Sequence, residues 1–245
     1  MEHPRLDWGA ASATGPIRHI NEDRCRAVPI PGWGGIFAVF DGMGGMVAAS
    51  MHADLALETL VHHLRSTPDS DRFTEAALRG AIQAAHEAVQ HHNVTHNTPG
   101  SGGTLAVAMV HGYQMWIAWV GDCRIWKQSG DTLTALTQEH LLINALIAQG
   151  KLTPEEAKSS PYSNIVLRAL GSGDALCQPD VGLFPLSPGD RLLLATDGMW
   201  RVLSDEVVST RLARGGAQEI AERLLTEVHA TDGRDNATVI VVTIR

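Results

Sequence analysis

The sequence has few cysteines, and none is placed for a disulfide framework. Cys25, Cys123 and Cys177 are odd in number, lie far apart and include no Cys-x-x-Cys pair. Disulfide-stapled secreted domains and thiolate zinc sites need paired or closely spaced cysteines. The N-terminus also has no basic segment followed by an apolar one, so we predict no signal peptide. Together these features favour a reducing, cytoplasmic location.

Long apolar runs and an excess of positive charge are also missing. The longest apolar stretches, such as Leu105–Val110, have strand length, far below the roughly 18 residues of a membrane helix. Nineteen basic residues against 27 acidic residues give a net charge of −8. Nucleic acids and anionic membranes attract proteins through a positive field. We therefore predict that the protein binds neither of them.

Apolar residues make up 44% of the 245 residues, which is enough for a full core without disulfides. No repeat, low-complexity segment or shift in composition divides the chain. We therefore predict a single domain over residues 1–245, with a helical insert at about 137–170.

Apolar patterning predicts many strands and a few blocks of helix. The predicted strands are Asp23–Ile30, Gly35–Phe40, Thr104–His111, Gln114–Val120, Arg124–Lys127, Leu133–Leu136, Ala175–Phe184, Arg191–Ala195 and Ala237–Ile244. The short links His111-Gly112 and Gly121-Asp122 predict antiparallel neighbours. Predicted helices include one with an apolar stripe from Leu78 to Val89 and Ser70 or Asp71 as N-cap, one opened by a capping box at Thr153, and two at Asp205–Leu212 and Gln218–Glu227. This pattern indicates an α+β fold with antiparallel sheets.

Carboxylates recur where core strands begin or end. Asp41 and Asp197 each follow an apolar strand and precede glycine, Asp122 follows Gly121, and Asp235 comes just before the last strand. A single Asp-Gly is typical of an ordinary turn. Several of them converging would cost on the order of several kcal/mol unless a cation lay among them. An all-oxygen ligand set favours Mg²⁺ or Mn²⁺ over Zn²⁺. The pattern predicts a metal site without identifying a substrate.

The same residues belong to a longer series of motifs. The series is Arg18-x-x-Asn21-Glu22-Asp23, Asp41-Gly42-Met43-Gly44-Gly45, Ser101-Gly102-Gly103-Thr104, Gly121-Asp122-Cys123-Arg124, Leu167-Arg168-Ala169-Leu170-Gly171, Asp197-Gly198 and Arg234-Asp235-Asn236-Ala237-Thr238-Val239. In order and spacing it resembles the bacterial branch of the metal-dependent serine/threonine protein phosphatases, the PPM or type 2C family. The resemblance runs from about residue 9 to 244. It implies a β-sandwich of two antiparallel sheets flanked by α-helices, with a mobile helical flap at the insert.

The resemblance also implies a binuclear Mg²⁺ or Mn²⁺ centre and its ligands. Asp41 would bridge both metals, and the carbonyl of Gly42 would bind one of them. Asp197 and Asp235 would ligate the other metal. Glu22 would lie in the same shell through water.

Further roles follow from the same resemblance. Asp122, together with Asp197, matches the residues that hold a weaker third metal in bacterial members. Arg18 matches the phosphate-binding arginine, while Asp23 would support the site and Asn236 would orient its loop. Met43 stands where eukaryotic relatives carry a histidine.

The implied activity is hydrolysis of phosphoserine and phosphothreonine in proteins. A water bridging two metals becomes hydroxide near neutral pH and attacks phosphorus in line, and Arg18 offsets charge on the phosphoryl oxygens. The substrates would be those of a partner serine/threonine kinase. Two alternatives remain open: a pseudophosphatase that acts as a regulatory binding module, and a hydrolase of small phosphate esters.

Other polar residues are predicted to play no part in the metal site. Cys123 is predicted to be a small buried residue that fills space in the core. The histidines of the helical region are predicted to be exposed side chains rather than metal ligands, because no partner that would orient a metal-binding ring is evident. They are His62, His63, His86, His91, His92 and His96.

Overall fold

A computed structural model of the chain describes residues 4–44, 46–173, 176–231 and 233–245, without the side chains of Met46, Val47 and Lys158. Its strands are β1 (Leu6–Ala13), β2 (Arg24–Ile30), β3 (Gly34–Met43), β4 (Gly102–His111), β5 (Gln114–Val120), β6 (Arg124–Ser129), β7 (Thr132–Ala135), β8 (Asp180–Pro185), β9 (Arg191–Ala195) and β10 (Ala237–Ile244). Its helices are α1 (Met46–Ser66), α2 (Asp69–Arg72), α3 (Glu75–His96), α4 (Leu142–Ala148), α5 (Pro154–Lys158), α6 (Asp197–Trp200), α7 (Asp205–Leu212) and α8 (Ala217–Ala230).

The strands form two antiparallel sheets of five strands each. The first has the order β1-β10-β9-β6-β7, and the second has the order β2-β3-β4-β5-β8. The position of β10 explains why its sequence is apolar without alternation. Ile240 and Val242 pack between the sheets, whereas Val239 and Val241 pack in a separate core that includes residues of α8. A strand covered on both faces has no solvent side on which to place polar residues.

Helices cover the outer face of each sheet. Buried residues of α1 and α3 pack with Ile36, Phe40 and Val107 of the second sheet. The helices α7 and α8 cover the first sheet. The predicted α+β sandwich flanked by helices is confirmed.

The link between β5 and β6 differs from the prediction. The sequence suggested that these strands pair across Gly121-Asp122, but β5 pairs with β4 and β8, while β6 pairs with β7 and β9. Gly121 has a φ of 95° and turns the chain from one sheet to the other. This crossing places Asp122 where the ends of the two sheets meet.

The start of α3 was also predicted wrongly. Its N-cap is Thr74, whose hydroxyl accepts a hydrogen bond from the Ala77 amide at 3.1 Å. Ser70 and Asp71 lie instead in the short helix α2. Buried Arg72 donates to the Leu64 carbonyl at 2.7 Å and thereby ties this segment to the end of α1.

The predicted insert contains two short helices, α4 and α5. Thr153 forms the predicted capping box at the start of α5. An antiparallel β-bridge between Leu141 and Val166 connects the beginning of the insert to its end. We keep the name flap for residues 137–170. The strand predicted from Ala175 begins at Asp180, and Ala175 itself lies outside the described residues.

The helices in the described part of the chain are too short or too polar to cross a membrane.

Candidate metal centre

A cavity of about 380 Å³ opens where the sheets converge. Its walls come from the loop before β2, the end of β3, the β5–β6 crossing, the flap, the start of α6 and the residues just before β10. Its lining residues are Arg18, Glu22, Asp41, Gly42, Met43, Gly44, Asp122, Asn164, Val166, Asp197, Asp235 and Asn236. The structure thus brings every residue predicted as a metal ligand to one cavity. Asp23 does not line the cavity and is almost fully buried.

Asp41 lies within β3 rather than after it. The strand continues because Asp41 and Gly42 pair with Thr104 and Gly103 of β4. A Cβ atom on Gly42 would lie 2.8 Å from the carbonyl oxygens of Ala49 and Glu22. Only glycine allows this approach, which brings the chain segment carrying Glu22 against the end of β3.

Asp197 and Asp235 are brought together by close backbone packing. Asp197 is the first residue of α6, directly after β9 and Thr196. A Cβ on Gly198 would lie 1.9 Å from the carbonyl oxygen of Asn236. The glycine after Asp197 is therefore needed for α6 to rest against the residue that follows Asp235.

Asn236 holds the loop that carries Glu22. Its Oδ1 accepts a hydrogen bond from the Glu22 amide at 2.9 Å. Its Nδ2 donates to the carbonyls of Thr14 at 2.7 Å and Ile20 at 3.1 Å. These contacts support the predicted orienting role of this side chain.

Each carboxylate makes ionisation of its neighbours less favourable. Burial, followed by the negative charges of Asp23 and Asp197, raises the pKa of Asp41 well above its usual range. Burial raises the pKa of Asp23 to about 7, and the hydrogen bond from Thr196 only partly opposes it. Burial and Asp197 raise the pKa of Asp122 to about 6 against the effect of Arg201. This site is one in which a cation would be stabilised.

Two arginines supply part of the missing positive charge. Arg18 donates to Asp235 at 2.8 Å, and both side chains are roughly half exposed at the cavity mouth. Arg201 donates to Asp197 at 2.8 Å and to Asp122 at 3.1 Å. Sequence reasoning missed Arg201, although its i, i+4 spacing from Asp197 on a helix is the signal that could have found it.

The donor set fits hard divalent cations, because the cavity offers carboxylate and carbonyl oxygens. Behind it, Asp23 Oδ1 is buried and accepts no hydrogen bond from the described residues. Such an acceptor needs a donor, as a hydrated cation or an ordered water provides. Within residues 4–44, 46–173, 176–231 and 233–245, however, no three acidic, histidine or cysteine side chains stand close enough to form a ready coordination shell. The ligand assignment therefore stays a prediction.

Two of the residues predicted to lie outside the site are buried. Cys123 is fully buried, as expected for a filler, and lies 3.2 Å from the Thr104 hydroxyl. Of the histidines predicted to be exposed, His63 and His92 are half-buried. His86 is buried, and its Nδ1 accepts a hydrogen bond from the Gly171 amide at 3.0 Å. This side chain sits on the face of α3 that packs inward, so it serves a structural contact.

The profile of the family described as Protein phosphatase 2C matches residues 18–231. The serine/threonine protein phosphatase PstP of Mycobacterium tuberculosis strain H37Rv is 30% identical over 240 residues, which cover 98% of this chain and 45% of that protein. The chain therefore spans a little under half of that relative. The serine/threonine phosphatase stp of Listeria monocytogenes strain EGD-e is 31% identical over 93% of this chain and 92% of its own length.

Solved structures agree with the fold. The PstP/Ppp phosphatase of Mycobacterium tuberculosis superposes with a TM-score of 0.89 at 29% identity, covering 98% of this chain and 99% of that one. The catalytic domain of PstP in complex with two manganese ions gives 0.85 at 29% identity, with 98% of each chain covered. Stp1 of Staphylococcus aureus gives 0.91 at 26% identity, covering 100% of this chain and 98% of that one.

Proposed function

Because the chain belongs to the protein phosphatase 2C family, we propose that it hydrolyses phosphoserine and phosphothreonine in proteins with the help of Mn²⁺ or Mg²⁺. The observation that carries the proposal is the single cavity lined by Glu22, Asp41, Asp197 and Asp235, with Arg18 at its mouth. We further propose that residues 1–245 act as a single phosphatase domain.

We assign Asp41, Gly42, Glu22, Asp197 and Asp235 to a pair of divalent cations. The two manganese ions bound by the related PstP catalytic domain support this assignment. Such a pair supplies an activated water and positive charge near the phosphoryl group. The chain's own part is to hold the five groups around one cavity.

Arg18 is the residue we assign to the phosphate. It uses one terminal nitrogen on Asp235, and its half-exposed guanidinium keeps further donors directed toward solvent at the cavity mouth. A planar guanidinium can bind two oxygens of a phosphate ester, which orients the ester and offsets its charge.

Replacing Arg18 is expected to weaken substrate binding more than turnover. A charge-assisted hydrogen bond contributes about 1.5–3 kcal/mol, so kcat/KM of Arg18→Ala should fall about 10- to 100-fold, mostly through KM. Arg18→Lys should keep part of the activity. Steady-state kinetics on a phosphothreonine peptide with saturating Mn²⁺ measures this. The exposed Arg65→Ala serves as the matched control, and unchanged kcat/KM in Arg18→Ala would rule out the phosphate assignment.

Turnover of purified protein tests the function itself. We expect release of phosphate from phosphoserine and phosphothreonine peptides with Mn²⁺, and no release after chelation by EDTA. Sugar phosphates should be poorer substrates. A preference for them would favour the small-ester hydrolase, and tight metal binding without turnover on any ester would favour a pseudophosphatase.

We place this activity in the cytoplasm, opposite a serine/threonine kinase. The three cysteines form no disulfide among the described residues, which is compatible with a reducing compartment. A phosphoproteome comparison between wild type and an Asp41→Asn strain would identify the substrates, which should gain phosphorylation on serine and threonine in the mutant.

A further inference from the structure

Arg201 joins two acidic residues of the cavity to the flap. Its Nε donates to Asp197 Oδ2 at 2.8 Å, and its Nη2 donates to Asp122 Oδ2 at 3.1 Å. Its Nη1 donates to Asn164 Oδ1 at 2.7 Å. All three nitrogens of one guanidinium are therefore in use, and each one reaches a different segment of the chain.

The surroundings fix this guanidinium in place. It lies over the ring of Trp200, with 4.6 Å between Cζ and the ring centroid, and Arg124 lies over the same ring at 3.7 Å. The Trp200 indole donates to the Asp122 carbonyl at 3.0 Å. Asp122 is therefore held by Arg201 at its side chain and by Trp200 at its backbone. The Asp122 side chain is only 4% exposed, so its charge needs a partner.

The position between Asp122 and Asp197 is where the resemblance implied a weaker third metal. Arg201 already binds Oδ2 of both carboxylates, so a metal ion there would compete with it for these oxygens and would stand beside a guanidinium that stays protonated. The residues present do not fit a third ion. We propose that Arg201 is the resident cation of this position, so that the chain binds two metal ions and no third one, and that it ties the acidic pair to the flap through Asn164.

Counting bound manganese tests this proposal. Equilibrium dialysis at high Mn²⁺, with metal measured by atomic emission, should give about two ions per chain for wild type. Arg201→Ala frees both carboxylates and should bind about three ions. Arg201→Lys keeps the positive charge and should bind about two. The double variant Arg201→Ala/Asp122→Asn lacks a ligand of the new position and should return to about two.

The outcomes separate this inference from the proposed function on which it rests. Three ions in wild type, or two in folded Arg201→Ala, would overturn the role of Arg201 and leave the two-metal function standing. No manganese in any variant would overturn the proposed function and this inference with it.

Circular dichroism would show whether Arg201→Ala folds. If it does not, wild-type crystals grown at high Mn²⁺ decide the matter. An anomalous peak between Asp122 and Asp197 would contradict the proposal, and a map without one there, beside occupied sites at Asp41, would support it.

Discussion

Asp41→Asn is expected to lower the Mn²⁺-dependent kcat by about a thousandfold or more. Asp41 lines the acidic cavity together with Glu22, Asp197 and Asp235, and the negative charges of Asp197 and Asp235 act on it. Asparagine has nearly the same shape but no charge, and its amide oxygen is a weaker ligand for a hard cation. The loss should therefore appear in turnover and in metal affinity rather than in folding.

Stability should move in the opposite direction for the same variant. Because burial and neighbouring carboxylates raise the pKa of Asp41, its charge destabilises the metal-free protein. In EDTA at pH 8, denaturant unfolding should find Asp41→Asn at least as stable as wild type. The exposed Asp131→Asn is a matched control and should change neither property. Full Mn²⁺-dependent turnover in Asp41→Asn would mean that this carboxylate is not a ligand.

The pH dependence of stability in the metal-free protein should be unusually steep because of Asp23. Burial raises the pKa of this carboxyl from 3.8 to about 7 in the folded protein. The folded state then binds the proton more tightly than the unfolded state. Its contribution is fully present below about pH 4 and is lost as the pH rises through 7, and the loss is on the order of 4 kcal/mol.

Asp23→Asn removes this titration and keeps an oxygen that can accept from the Thr196 hydroxyl. In EDTA, urea unfolding between pH 5 and 8 should show a smaller loss of stability in Asp23→Asn than in wild type. The Asp131→Asn control should follow the wild-type curve. Parallel curves for wild type and Asp23→Asn would show that Asp23 titrates alike in the folded and unfolded protein.

Elements with strong local signals were predictable from sequence. The bounds of β5, β9, β10 and α7 match the prediction, because turn residues, charged residues or glycines flank each apolar run. The capping box at Thr153 is read from four adjacent residues, and its contacts are local.

Features set by distant parts of the chain were not predictable in the same way. A three-residue link such as Gly121-Asp122-Cys123 is typical of a hairpin, and only the packing of two sheets turns it into a crossing. The predicted start of α3 was wrong because Arg72, which precedes the helix, donates to a backbone carbonyl at the end of α1, and the local sequence does not show this contact. Arg201 binds Asp122 across 79 residues and Asn164 across 37, distances at which spacing carries no information.

Crystals grown with manganese would test the central claim, namely that acidic residues from separate segments gather around a pair of hard cations. We expect two anomalous peaks about 3.5–4 Å apart in the cavity, with Asp41 between them and Asp197 and Asp235 on one ion. A map with manganese bound elsewhere, or with these three carboxylates turned away from any ion, would contradict it.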